Sequence, residues 1–152
     1  MPKFIIYTDG GARGNPGPAG AGAVIVDESG QELKRTHKEL GVMTNNEAEY
    51  EAVILGLKTL KHLKGGPAVK AAEVEVRLDS ELVARQLNGQ YQIKEENLQP
   101  LFMKIWNQRV AHFPHLKFVH IPREKNRTAD RLANQAMDDN QRQSLAKTLF
   151  QE

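Results

Sequence analysis

The sequence predicts a mixed α/β domain, with a mixed sheet carrying helices on both faces. Three observations predict it. Three strand-like stretches come first and are joined by turns, which makes a meander. A long, strongly apolar helix follows, and such a helix packs on a sheet. Strands and helices then alternate, which calls for crossover connections. The order βββαβααβα excludes an all-parallel, doubly wound sheet. A chain of 152 residues suits one domain with a core of its own.

Residues 3–9, Lys-Phe-Ile-Ile-Tyr-Thr-Asp, are apolar on both faces and read as a central strand. Residues 10–20 contain five glycines and two prolines, so they read as a long turn. Ala21 to Val26 form the second strand. Ser29-Gly30 turns the chain into a third, over 31–41, to give an antiparallel hairpin.

Thr44 to Leu63 reads as a helix. Thr44 is the N-cap, and Glu47 three residues on completes a capping box. Ala48, Ala52, Leu55 and Thr59 form one stripe, and Val53, Gly56, Leu57 and Leu60 the next. Gly65-Gly66-Pro67 stops it. Val74, Val76 and Leu78 alternate with polar residues in a fourth strand, 73–78. A short helix from Ser80 to Leu87 ends at Asn88-Gly89, and Leu98 to Ala111 is a further helix. Leu116 to Ile121 is the fifth strand. The last helix runs from Asn126 to Met137, with Ala129, Leu132, Ala133, Ala136 and Met137 inward. The domain is expected over 1–139, with 140–152 a tail or a short docked helix.

Composition narrows the function classes. No apolar run approaches the roughly 18 residues of a membrane span, and no signal peptide is evident at the N-terminus. The lack of cysteine excludes disulfides, thiolate metal sites and a cysteine nucleophile, and a cytoplasmic location is expected. A net charge of +2 is too small to argue for nucleic-acid binding by itself.

Four carboxylates stand at element ends. Asp9 closes the first strand and Asp79 the fourth. Glu49 lies in the first turn of the long helix, on the stripe of Val53, Gly56, Leu57 and Leu60. Asp130 lies in the first turn of the last helix. Each has a plain structural explanation as a turn residue, an N-cap or a complement to a helix dipole. Brought together, they would repel one another and take up protons unless a cation intervened. Hard carboxylate oxygens suit Mg²⁺ or Mn²⁺ rather than Zn²⁺. Two such ions about 4 Å apart promote phosphodiester hydrolysis.

The residues around these acids resemble the four motifs of the type 1 ribonuclease H family. The first is Thr8-Asp9-Gly10-Gly11-Ala12-Arg13-Gly14-Asn15-Pro16-Gly17-Pro18, and the second is Thr44-Asn45-Asn46-Glu47-Ala48-Glu49. The third is Leu78-Asp79-Ser80, and the fourth runs from Pro122 to Asp130. They occur in family order and spacing across almost the whole chain. The resemblance implies a five-stranded mixed sheet ordered 3-2-1-4-5. It implies an endonuclease that cuts the RNA strand of RNA–DNA hybrids and leaves 5′-phosphate and 3′-hydroxyl ends. Two Mg²⁺ ions, with Mn²⁺ as substitute, would be held by Asp9, Glu49, Asp79 and Asp130. The motif selects Glu49 over Glu47, and the helix phase agrees, because the capping box already explains Glu47.

The resemblance also implies a histidine before the last acid, for proton transfer or product release. His120 lies ten residues before Asp130 and matches that spacing. The loop reads Val-His-Ile-Pro-Arg rather than the family's Gly-His form, so His120 could belong to the strand and Arg123 act in its place. Substrate contacts are implied at Gly10, Gly11, Ala12, Arg13 and Asn15, and at Thr44, Asn45, Asn46 and Arg123. The helix N-terminus at Thr44-Asn45 offers a phosphate site.

Two positions depart from the family pattern. Glu81 stands where some members carry Gln, and Glu95-Glu96-Asn97 where many carry a DNA-holding Asn. Neither a basic protrusion nor an N-terminal hybrid-binding domain is expected. Positive charge lies instead at Lys58, Lys61, Lys64 and Lys70, and at Arg123, Lys125, Arg127 and Arg131. A monomer with no obligatory protein partner and no membrane association is expected. An inactive binding module and a DNA nuclease of the same superfold are the main rivals; a nucleotide-phosphate binder using the glycine loop ranks below them, because no Gly-x-x-x-x-Gly-Lys-Ser/Thr is present.

Overall fold

The computed structural model describes residues 1–150. Strands β1 (Lys3–Ala12), β2 (Gly17–Asp27) and β3 (Glu32–Met43) form the meander. Helices α1 (Asn45–Lys64) and α2 (Gly66–Lys70) follow, then β4 (Glu73–Leu78), α3 (Glu81–Leu87), α4 (Gln99–His112), β5 (Leu116–His120) and α5 (Arg127–Phe150). The sheet order is β3-β2-β1-β4-β5. The β1–β2 and β2–β3 pairs are antiparallel, and β1–β4 and β4–β5 are parallel. The expected mixed sheet and strand order are therefore present.

Alternation along β1 and β2 sends side chains to opposite faces. Phe4, Ile6, Ala23 and Ile25 join Tyr50, Val53, Leu57 and Leu60 of α1 in the main core. Ile5, Tyr7, Val24 and Val26 meet Leu132 of α5 in a smaller cluster. Helices thus cover both faces. All five residues expected on the inner side of the last helix are buried.

Two expectations about boundaries are corrected, and one short helix is added after Gly65, where α1 stops as expected. The glycine-rich stretch 10–20 is mostly strand, because Gly10–Ala12 pairs with Ala19–Ala21 and only Arg13–Pro16 turns. Its small residues let α1 and α5 approach the sheet closely, a role that composition alone reads as a loop. A helix, α2, begins directly after Gly65, with Pro67 in its first turn, where a missing N–H is tolerated. The last helix does not end at Met137. It continues as one helix to Phe150, anchored beyond Met137 by Asn140, whose Nδ2 donates to the carbonyls of Ala19 at 2.9 Å and Gly41 at 2.8 Å. Gln151 and Glu152 lie outside the described residues.

Candidate active site

The parallel pairing of β1 with β4 ends with Thr8 beside Leu78, so Asp79, just past the end of β4, comes beside Asp9; Asp9 does not close β1 as expected, because that strand runs on to Ala12 against β2. Helix α1 starts at this rim. The Thr44 hydroxyl accepts from the Glu47 N–H at 3.2 Å, and the Glu47 carboxylate accepts from the Thr44 N–H at 3.0 Å. This capping box occupies Glu47 and turns Glu49 inward on the buried side of the helix. The absence of a side chain at Gly10 makes the approach possible. A Cβ there would lie 2.1 Å from the Ala48 carbonyl oxygen.

One carboxylate oxygen from each of Asp9, Glu49 and Asp79 lies within 4.8 Å of the others. Asp9 and Glu49 are each only 8% exposed. Asp130, in the first turn of α5, lines the same cavity. Burial first, then the charge of Asp79, and then the proximity of Asp130 push Asp9 up to about 8. Burial, then Asp9 and Asp79, also raise Glu49 well above the ordinary carboxylate range. Four acids gathered in this way are a cost to the fold unless protons or cations neutralise them.

The cluster opens into a cavity of about 440 Å³ lined also by Gly10, Gly11, Asn45, Asn46, Ser80, Arg123, Asn134 and Met137. Ser80 caps α3 by accepting from the Val83 N–H at 3.2 Å. That leaves Asp79 free of the N-cap duty a sequence could assign it. The Glu49 Oε2 atom is buried with no hydrogen-bond partner. An all-carboxylate donor set with one orphaned oxygen fits a hard divalent cation.

Comparison with known proteins agrees with this geometry. The "Reverse transcriptase-like" family model matches residues 7–136. The bifunctional protein Rv2228c of Mycobacterium tuberculosis is 39% identical over 137 residues, which cover 90% of this chain. The chain spans only 36% of that relative's length. A ribonuclease H of Chromohalobacter salexigens is 35% identical, with 96% of this chain and 93% of that protein covered. The chain belongs to the type 1 ribonuclease H family. Among solved structures, LC11-RNase H1 in complex with an RNA/DNA hybrid is 53% identical with a TM-score of 0.85, covering 90% of this chain and 97% of that one.

Within this ribonuclease H family member, the first two motifs brace each other. The Asn15 side-chain oxygen accepts from the Asn45 N–H at 3.0 Å, and the Asn45 oxygen accepts from the Ala12 N–H at 2.9 Å. The Asn46 Nδ2 donates to Glu95 at 3.1 Å. Arg13 does not project freely. Its guanidinium donates to Asp138, to Gln141 at 2.7 Å and to Asn134. His120 ends β5, paired with Leu78 and exposed, and is not among the residues lining the cavity, whereas Arg123 is.

Asn126 and Asn134 are the residues that sequence reasoning passed over. Asn126 sits in the fourth motif and is fully buried, and its Nδ2 donates to the Thr8 carbonyl and to Asp79. An asparagine just before a helix reads from sequence as a cap, and nothing local signals a partner 47 positions away. Asn134 has a weak signal, since it stands one helical turn after Asp130.

Proposed function

We propose that this chain is an endonuclease that hydrolyses the RNA strand of RNA–DNA hybrids, leaving 5′-phosphate and 3′-hydroxyl ends. The observation that carries the reading is the cluster of Asp9, Glu49, Asp79 and Asp130 on a cleft that the amides of Asn45, Asn46 and Asn134 also line. The solved relative in complex with an RNA/DNA hybrid supports the choice of substrate. Bound at the four acids, two Mg²⁺ ions would supply an activated water and charge stabilisation for the departing 3′ oxygen. Mn²⁺ is the expected substitute.

Asp9 faces all three other acids and is the residue suited to serve both ions. Glu49 and Asp79, whose carboxylate oxygens lie within 4.8 Å of each other and of Asp9, would hold a cation together with Asp9, and Asp130 would complete the set from α5. Asn15 and Asn45 have committed their side-chain oxygens to backbone N–H groups, so their NH₂ groups are left to donate to phosphate or to a ribose hydroxyl. Asn46 has the reverse polarity, because Glu95 takes its NH₂. Its oxygen is left to accept from a 2′-OH, the group that separates RNA from DNA. Arg123 supplies positive charge at the cleft. A cytoplasmic monomer without an obligatory protein partner belongs to the same proposal.

The test is incubation of the purified protein with an end-labelled RNA–DNA hybrid, with Mg²⁺ or with EDTA, beside single-stranded RNA and duplex DNA. Cutting confined to the RNA strand of the hybrid and dependent on metal is expected. A folded protein that cuts nothing with either Mg²⁺ or Mn²⁺ would favour an inactive binding module.

A further inference from the structure

Arg13 lies in the glycine-rich turn, where a cation reads most simply as a phosphate contact. Its guanidinium is instead taken up by α5. One Nη donates to Asp138 and, at 2.7 Å, to Gln141. The other donates to Asn134 Oδ1 at 3.2 Å and to the Asn134 carbonyl at 3.5 Å. Asn134 in turn donates through Nδ2 to the Asp130 carbonyl at 2.9 Å and to Asp130 Oδ1 at 3.2 Å. Asn134 also lines the cavity beside the acids.

The polarity of this chain of contacts is forced. A guanidinium can only donate, so it must face the amide oxygen, and an ionised carboxylate can only accept, so it must face the NH₂. Flipping the amide would set donor against donor at Arg13 and acceptor against acceptor at Asp130. Arg13 and Asp130 therefore demand the same orientation of the Asn134 amide, and Arg13 holds its oxygen end in place. Asp130 is the most solvent-exposed of the four acids.

We infer that Asn134 is a positioning residue that orients the Asp130 carboxylate for a divalent cation, and that Arg13 acts through Asn134 by locking its amide. The inference rests on the proposed metal-dependent activity. It makes the β1–β2 turn part of the metal site without direct contact: the turn reaches Asp130 through α5.

A double-mutant cycle tests it, read by calorimetric titration of Mg²⁺ without nucleic acid and by steady-state cleavage of the hybrid. Asn134→Ala is expected to weaken Mg²⁺ binding about tenfold, the usual scale for losing a group that orients a ligand. It should lower kcat while leaving KM for the hybrid within about twofold. Arg13→Ala should weaken Mg²⁺ binding less in the parent, and add nothing once Asn134 is alanine. Thermal melts of each variant show that the folded state is retained.

The inference is overturned if Asn134→Ala leaves Mg²⁺ affinity unchanged. It is equally overturned if Arg13→Ala weakens binding by the same factor in both backgrounds, or if KM alone rises. A parent that binds Mg²⁺ but cuts no hybrid would sink the proposed activity, and the titrations would still decide the relay. A parent that binds no divalent cation would overturn both.

Discussion

Asn126 Nδ2 lies 2.9 Å from Asp79 Oδ2 and, at the same time, 2.8 Å from the Thr8 carbonyl oxygen. A single buried amide, from the loop before α5, thus ties the residue after β4 to the middle of β1, where the pairing of the two strands ends. It holds one acid of the cluster in place beside the strand that carries another.

Asn126→Ala is therefore expected to injure both stability and turnover. It removes two hydrogen bonds and leaves the Thr8 carbonyl, which is enclosed, without this partner. The loss should be about 2–3 kcal/mol, or roughly 4–12 °C in melting temperature for a chain of this length. Because Asp79 loses its brace, kcat should fall even well below the variant's melting temperature. A melt together with cleavage rates at 20 °C checks both parts. Unimpaired cleavage in a destabilised variant would show that Asp79 needs no help from Asn126.

Asp9→Asn is expected to abolish cleavage and to stabilise the metal-free protein at high pH. Asp9 is pushed from 3.8 up to about 8 by burial first and by Asp79 second. The unfolded chain loses this proton near pH 4. Between those values the folded state holds a proton that the unfolded state has lost, so metal-free stability declines as pH rises from about 4 to about 8. The full cost is present above pH 8, and Asn cancels it. Glu49, raised by burial and its neighbours, acts in the same direction. The gain should be at least about 1 kcal/mol, or roughly 2–4 °C, at pH 9 and nearly absent at pH 4. Melts in EDTA at both pH values measure it, and a variant no more stable than the parent at pH 9 would contradict it.

Gly22→Ala is expected to loosen α5 from the sheet. An added Cβ would stand 2.6 Å from both the Ala129 carbonyl oxygen and the Leu132 Cβ, and 2.7 Å from the Ala133 nitrogen. Backbone atoms cannot yield as a flexible side chain can, so the helix must shift. A loss of roughly 2–3 kcal/mol is expected. The shift would also move Asp130, and Mg²⁺ affinity should fall with stability. A melt and a metal titration on the same sample test the coupling.

Much of this was legible because local rules and global packing agree. The Thr44–Glu47 capping box and the stripe of Val53, Gly56, Leu57 and Leu60 together fix the face of α1, and so the inward aim of Glu49. Ala129, Leu132 and Ala133 do the same for α5 near Asp130. What sequence pattern misjudged lies where a glycine has two meanings. Gly10, Gly17 and Gly20 read as punctuation, yet they belong to strands. Gly10 is there because α1 comes too close for a side chain. The long-range amide contacts of Asn126, Asn134 and Asn140 have no periodic signature, since a single polar residue that bonds across the fold leaves its neighbours unchanged. The extent of α5 past Met137 was hidden for a related reason. Residues 141–150 are exposed along their length, so no apolar stripe announces the helix.

His120→Ala and Arg123→Ala should separate two readings of the fourth motif. His120 ends β5 and is exposed, while Arg123 lines the cavity. If His120 assists proton transfer or product release, its loss should lower kcat at saturating hybrid by about tenfold or more and leave KM alone. Arg123→Ala should mainly raise KM, because a cation facing a phosphate contributes to binding. A His120→Ala variant with parental kcat would remove histidine from the mechanism.

Hybrid binding should weaken steeply with salt, and Arg123 should account for part of that slope. The net charge of +2 is small, yet Arg123, Lys125, Arg127 and Arg131 are all exposed around the start of α5. Each phosphate that such a group neutralises releases counterions, so log K falls with log salt by about 0.9 per contact on a B-form duplex. Glu81, Glu95 and Glu96 are exposed as well, and where they meet the other strand they would offset some of that attraction. Three or four net contacts, and a slope near −3, are therefore expected. Arg123→Ala should reduce the slope by about one. Lys58→Ala, on the exposed side of α1 more than two turns past the end of the helix at the cleft, should leave it unchanged. Fluorescence anisotropy with a labelled hybrid in Ca²⁺, at salt concentrations from 50 to roughly 200 mM, measures the slope. An equal drop for both variants would place hybrid contact on the lysine face of α1 as well.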